Sequence, residues 1–315
     1  CKPSCTGKFC GSDGCGGSCG TCPSGSICTN GKCSCVPSCA GRECGSDGCS
    51  GSCGTCAANA VCTAGKCIVT GDCNGLPSTW GPIGAVATLS LPSDATTVAQ
   101  KCFDYTGDGK GDNSFSLLAT YINPLISTGG SSGTLGTLFE FSGVKDFANT
   151  ASFPLNGLKG LPTGSGNGYE LDPSSYDGAC HPLIQFKAAK IAGKALVAGP
   201  SPFIFQFPLQ GGSLVFAMEQ SRIKATITSG GAGGVTATGG VLGGVVTQEA
   251  MDQTLAIAAA ACSGSNAPSY CDYLGMLQGI LPNLMDADLN KDGTPDAYSI
   301  CLFLTLSPAK VTGYL

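Results

Sequence analysis

The first 68 residues are one cysteine pattern written twice. At a shift of 34, CKPSCTGKFCGSDGCGGSCGTC and CVPSCAGRECGSDGCSGSCGTC align with every cysteine matched, and 22 of 34 positions are identical across the full repeat. The first copy holds Cys1, Cys5, Cys10, Cys15, Cys19, Cys22, Cys28 and Cys33; the second holds Cys35, Cys39, Cys44, Cys49, Cys53, Cys56, Cys62 and Cys67. A chain below about 40 residues cannot bury enough apolar surface to fold unaided. Each copy offers few core candidates, Phe9, Ile27 and Val61 among them. Crosslinks must therefore replace the core, each contributing roughly 2–4 kcal/mol by restricting the unfolded chain. Four bridges per copy are expected, and spacing does not choose their connectivity.

Details within the repeats read as structural. Asp13 and Asp47, in GSDGC, suit tight turns. Cys19-Gly-Thr-Cys22 and Cys53-Gly-Thr-Cys56 have redox spacing, but a thioredoxin-type site needs that motif at a helix start in a βαβ unit. Cys1 matches the internal Cys35, which argues for a bridge there rather than a lipid anchor. Six cysteines remain: Cys73, Cys102, Cys180, Cys262, Cys271 and Cys301. They suffice for three bridges, with Cys262 to Cys271 and Cys73 to Cys102 as the simplest two pairings by spacing. Twenty-two cysteines point to an oxidising, extracellular compartment, and a removed secretory signal peptide is expected ahead of Cys1.

Charge excludes more than it suggests. The net charge is −5 with no basic run, so no nucleic-acid partner is expected. Hydrophobic residues make up 42%, enough for a core, and no 18-residue apolar run predicts a transmembrane segment. The single histidine, His181, rules out multi-histidine zinc sites and reads as a buried or loop residue rather than a base. Glu140, Glu170 and Asp177 have no spacing that argues for a carboxylate pair. No GxSxG, phosphate-loop or dinucleotide fingerprint occurs, and no catalytic residue is assigned.

The fold class expected is two small disulfide-rich repeats followed by a mixed, β-rich (α+β) domain with antiparallel strands and a few helices. The boundaries are 1–34 for repeat 1, 35–73 for repeat 2 plus junction, and 74–315 for the β-rich calcium-binding domain. Strands are expected at 183–191, 203–208, 213–218 and 222–228, arranged as an antiparallel meander. The glycine-rich run 229–247 reads as a close-packed strand pair with tight turns, or as a flat apolar edge open to another chain. Helices are expected at 248–261 with Thr247 as cap, at 269–281, and at 115–125. Trp80, the sole tryptophan, is expected to pack, against the repeat region for instance.

Seven of the 21 acidic residues fall in two short stretches. Asp104, Thr106, Asp108, Lys110 and Asp112 form one; Asp288, Asn290, Asp292, Thr294 and Asp296 form the other, with Asp286 just before it. Both follow D-x-[NT]-x-D-G-x-x-D. Oxygens at positions 1, 3 and 5 curl around one ion, glycine at 6 permits the sharp turn, and the carbonyl at 7 faces inward. Hard oxygen donors select Ca²⁺. Phe115 and Ser299 stand where an EF-hand has its bidentate glutamate, so another segment must complete each shell. These loops resemble those of dockerin and thrombospondin type 3 repeats.

The pattern CxGxxCGxDGCxGSCGxC resembles a cysteine-rich module common in secreted proteins and lipoproteins of myxobacteria and related predatory or soil bacteria. CFDYTGDGKGDNSFSLL and MDADLNKDGTPDAYSICLFLTLSPAKVTG are similar to segments of the same proteins. The resemblance implies a bacterial surface location and says little about activity. The expected function is a non-enzymatic extracellular structural protein, a self-assembling subunit of a surface appendage or fibre, with Ca²⁺ as cofactor and a homo-oligomer or homopolymer as partner. The alternative is a monomeric surface adhesin that binds glycans or proteins on a disulfide-rich stalk.

Overall fold

The computed structural model describes residues 1–22, 26–39, 42–47, 52–56, 60–63, 66–69, 75–126, 136–164, 166–209, 212–262 and 271–315. The chain divides into two compact units, Cys1–Ile68 and Val69–Leu315.

The first unit is held by crosslinks. Repeat 1 carries the bridges Cys1–Cys15, Cys5–Cys19, Cys10–Cys28 and Cys22–Cys33. Among the described residues, repeat 2 reproduces Cys5–Cys19 and Cys22–Cys33 as Cys39–Cys53 and Cys56–Cys67. The two cysteines of each Cys-Gly-Thr-Cys motif thus pair with different partners, which removes the redox reading. Short antiparallel hairpins, such as Ser26–Thr29 with Lys32–Cys35, are the only regular structure among the described residues of this unit. Asp13 does form a turn, accepting from the Cys15 and Gly17 amides at 2.8 and 2.9 Å. Of the core candidates, Phe9 and Ile27 are 74% and 57% exposed, and the Val61 side chain lies outside what is described. Only Cys10 and Cys44 are deeply buried among the unit's described apolar residues, so sulfur takes the place of a core.

The second unit is a closed antiparallel barrel. Its strands are β1 (Ile83–Ser90), β2 (Gly136–Phe141), β3 (Asn149–Pro162), β4 (Gly168–Leu171), β5 (Ile184–Ala192), β6 (Ala195–Leu209), β7 (Gly212–Ser229), β8 (Val235–Thr247) and β9 (Ala297–Tyr314). Neighbours pair up and down in chain order, with β3 passing directly to β5. β9 then pairs antiparallel with β1, from Phe303 opposite Ser90 to Ala309 opposite Ile83, and this closes the ring. The short β4 lies outside the count, antiparallel to β3 and parallel to β9.

Period-two alternation fixes which side faces in. On β9, Tyr298, Ile300, Leu302, Leu304 and Leu306 join one core cluster to which every barrel strand contributes. Phe139, Phe186 and Phe203 stack across it with centroids about 6 Å apart, so side chains fill the interior. The outward residues of β9 are covered in patches. Ala309 and Val311 lie under the lead-in Leu76–Trp80, β4 and Tyr176. Cys301 lies under Val98 and Cys102, at helix α1 (Ala95–Lys101).

Several expectations change. Cys102 bonds Cys301, 199 residues away, and not Cys73, which falls outside the described residues. Sequence proximity misled because barrel closure brings the chain's distant ends together. The run 229–247 is one short turn and the single strand β8, hydrogen-bonded on both sides by β7 and β9. It is neither a strand pair nor an edge. The expected strands 213–218 and 222–228 are one strand, β7. The expected helix 115–125 is a chain of short turns, Ser114–Leu118, Ala119–Ile122 and Asn123–Leu125. There the Asn123 side chain bonds both backbone groups of Leu91, and Pro124 supplies no amide. Trp80 packs within its own unit, 5.6 Å from the Tyr314 ring, and donates to the Tyr176 hydroxyl at 3.3 Å.

Other expectations hold. Helix α2 spans Gln248–Ala261, and the Ala250 amide donates to the Thr247 hydroxyl at 3.1 Å. Helix α3 spans Cys271–Ile280, and Cys262–Cys271 ties the end of α2 to its start.

Candidate functional site

The two acidic loops sit on the same strip of barrel wall. Tyr105 of loop 104–112 and Leu289 of loop 288–296 both pack over Val245 of β8 and Ala297 of β9. The chain then enters the wall directly: Asn113 Oδ1 accepts from the Cys301 amide, and Ser114 and Ser299 exchange backbone-to-hydroxyl bonds at 3.1 and 3.2 Å. Gly243 lets loop 1 lie flat, because a Cβ there would meet the Phe103 ring at 2.7 Å and the Tyr105 hydroxyl at 3.1 Å.

The loops adopt one conformation. The position-1 carboxylates of Asp104 and Asp288 accept from the amides of Gly109 and Gly293 at 2.8 and 2.7 Å. Asp108 and Asp292 accept from Lys110 and Thr294, both at 2.8 Å. Asp112 and Asp296 reach back to the amides of Tyr105 and Leu289 at 2.7 and 2.8 Å. Positions 4 and 6 have positive φ in both loops: Gly107 and Gly109 at 82° and 85°, Lys291 and Gly293 at 60° and 90°. Glycine at position 6 is what such a turn requires.

The electrostatics favour a counter-charge. Burial pushes the Asp112 carboxyl above its usual range, and the neighbouring charges of Asp286 and Asp104 push it further. Asp286 is held by the Ser299 amide and hydroxyl at 2.8 and 2.6 Å. Phe115 is buried in the main core, so position 12 of loop 1 offers no oxygen side chain. The donor set, all oxygen and in the right order, fits a hard divalent cation. The carboxylates nevertheless lean on backbone amides, and neither loop brings three acidic side chains within 4.8 Å of one another among the described residues.

Cysteine sulfurs do approach that closely. Cys10, Cys22 and Cys33 form one such group and Cys44, Cys56 and Cys67 another. Every one of these sulfurs is in a disulfide, so none is a thiolate donor.

The remaining polar candidates are accounted for. His181 is 75% exposed and lies 3.5 Å from Asp177, whose other oxygen accepts from the Ala179 and His181 amides. Glu170 is exposed on β4. Glu140 is 7% exposed and accepts from the Gly81 amide at 2.8 Å and Asn156 Nδ2 at 2.9 Å. Asn156 in turn accepts from Gln185, so a polar rung crosses β2, β3 and β5. These three acids are not gathered at one site.

One feature escaped the sequence reading. Phe103, Tyr105 and Phe303 line the outer wall, each under a cation: Lys224 at 4.7 Å, Arg222 at 5.8 Å and Lys101 at 5.8 Å. Burial lowers the Lys224 ammonium's pKa. The partners come from separate elements, so no local spacing announces them.

No helix among the described residues is long and apolar enough to cross a membrane. Compared with protein-family models, curated proteins and solved structures, the chain matches none.

Proposed function

We propose that this is a non-enzymatic extracellular structural protein that assembles with copies of itself, braced by disulfides and by calcium in the two acidic loops. The observation that carries the reading is the β6–β7 hairpin. From Phe203 opposite Met218 to Leu209 opposite Gly212, the two strands run on as a paired arm. The segment 203–218 contains no Asp, Glu, Lys or Arg. A long uncharged hairpin lacks the charges that guard strands against pairing with another chain. Elsewhere the barrel wall is closed, which leaves this arm as the natural point of contact.

Calcium would be held by Asp104, Thr106, Asp108, Asp112 and the Lys110 carbonyl in one loop. Asp288, Asn290, Asp292, Asp296 and the Thr294 carbonyl would hold it in the other. When bound, it supplies positive charge that offsets the repulsion at Asp112 and fixes both loops on β8 and β9. The test is negative-stain electron microscopy of the full chain with calcium, then after EDTA. Regular fibres support the reading, and their loss in EDTA gives calcium an assembly role. Gln206→Lys with Ser213→Lys charges the arm and should leave monomers of unchanged melting temperature. Discrete particles under all conditions, at high protein concentration, would overturn it.

A further inference from the structure

The outer face of β5–β7 is basic in a chain whose net charge is −5. Residues 183–247 hold Lys187, Lys190, Lys194, Arg222 and Lys224 against one acid, Glu219. Ala189, Ile191, Leu196, Ile223 and Ala225 face the core, so the alternation of these strands sends Lys190 and Lys224 outward. Register then sets them in one line. Lys190 stands opposite Val197, Val197 opposite Lys224, Lys224 opposite Val241, Val241 opposite Phe303, and Phe303 opposite Ser90 of β1. Lys101 reaches this row from α1, its Nζ 5.8 Å from the Phe303 ring centroid. Cations therefore mark β5, β7 and β9, every second strand. With strands about 4.8 Å apart, they recur about every 10 Å along the wall.

These side chains are held without being neutralised. Lys224 sits 4.7 Å over the Phe103 ring and Arg222 sits 5.8 Å over Tyr105. A ring face steadies a cation and leaves its charge for an anion. Among the described residues, no carboxylate lies within 4.0 Å of the charged groups of Lys101, Lys190, Arg222 or Lys224. The row ends in a cleft of ≈ 150 Å³ whose lining includes Thr88, Ser90, Lys101, Phe303 and Thr305. Three hydroxyls, one ammonium and an aromatic ring meet there, and the Thr88 and Thr305 hydroxyls bond each other at 2.7 Å. Whole-ligand sites run from roughly 300 Å³ upward, so this cleft suits one unit of a longer chain. Hydroxyls beside a cation match a sugar that carries an acid group.

We propose that this row binds a linear acidic polysaccharide, with one acidic sugar unit in the cleft at Lys101 and further acid groups on Lys224 and Lys190. Arg222, two residues before Lys224 on β7, adds a contact beside it. Charge spacing decides against nucleic acid, which carries a phosphate about every 3.4 Å along each strand, three times denser than the row. The ring faces on which bases would stack already hold cations. An anionic membrane is flat and would meet the convex wall along one line. Of the large apolar side chains in that line, only Val197 is exposed. The row uses no residue of the 203–218 arm, so it stands whether or not the chain assembles.

The test is calorimetry on the full chain at low salt. Calcium is present because loop 104–112, whose Tyr105 underlies Arg222, carries three acids. The probes are an octasaccharide alternating glucuronate with N-acetylglucosamine, the same octasaccharide with its carboxyls reduced, a single-stranded oligonucleotide, and phosphatidylglycerol vesicles. The acidic octasaccharide should bind with a Kd below about 1 mM, at least about tenfold tighter than its reduced form, and more weakly as salt rises. Lys190→Gln, at an exposed position, should weaken binding about threefold with no change in melting temperature. Adding Lys101→Gln, also exposed, should bring the loss to about tenfold. Lys224→Arg keeps both the charge and the ring contact and should hold the affinity. No binding of the acidic octasaccharide, equal binding of the reduced one, equal binding by the double glutamine variant, or tighter binding of oligonucleotide or vesicles would overturn the proposal.

Discussion

Replacing Cys102 and Cys301 together by alanine should destabilise the barrel more than removing Cys262–Cys271. The bridge spans 199 residues, against 9 for Cys262–Cys271. In the chain-entropy model the unfolded chain gains 2.1 + 1.5R ln n cal/mol/K when a loop of n residues is released. That gives about 18 cal/mol/K for the long loop, or about 5 kcal/mol at 25 °C, and about 2.6 kcal/mol for the short one. Both sulfurs of the long bridge are buried, so lost packing adds to the entropy. A domain of this size loses about 2–4 °C per kcal/mol, so the double variant should melt about 10–20 °C lower. Cys262→Ala with Cys271→Ala should lose about half as much. The assay is calorimetry of both double variants in calcium, with urea unfolding as a second measure. Equal losses for the two variants would refute the argument that closure of the long loop is what the bridge contributes.

Other outcomes follow from the same geometry. Gly243→Val should cost about 1–3 kcal/mol by driving its side chain into Phe103 and Tyr105, measured by urea midpoint, whereas Gly231→Ala, with open space, should be near neutral. Calcium at about a hundred times its Kd should add about 2.7 kcal/mol per occupied loop, and EDTA should remove it; a melting temperature indifferent to both would end the calcium reading. Asp288→Ala should abolish one loop's share of that gain and leave the other's. Glu140→Ala leaves the Gly81 amide and the Asn156 carboxamide without their acceptor and should cost about 1–3 kcal/mol in the same urea assay.

Local order was legible in the sequence; closure was not. Helix α2 was readable because its apolar spacing and its Thr247 cap are both local signals. Cys262–Cys271 and β5 were readable for the same reason. β8 was misread because its glycines looked like turns. They stand there because neighbours occupy the space of a Cβ: Leu304 at Gly240, Phe103 at Gly243, Ser221 and Met218 at Gly244. β1 lacks any strong local mark, and its partner β9 lies more than 200 residues on. The acidic loops could be found by spacing, but nothing in either predicts that both rest on one strip of wall.

Because β1 is completed only by β9, the barrel has no productive intermediate that lacks the C-terminus. β9, residues 297–314, supplies both the β8 and the β1 pairing. Strands β1 to β8 can pair with their neighbours in chain order, but β8 and β1 each keep one edge open until β9 arrives, and so long-range a pairing slows folding. The Cys102–Cys301 bridge then acts as a covalent timestamp. Alkylation of both thiols marks a chain that has not closed, and their protection marks one that has.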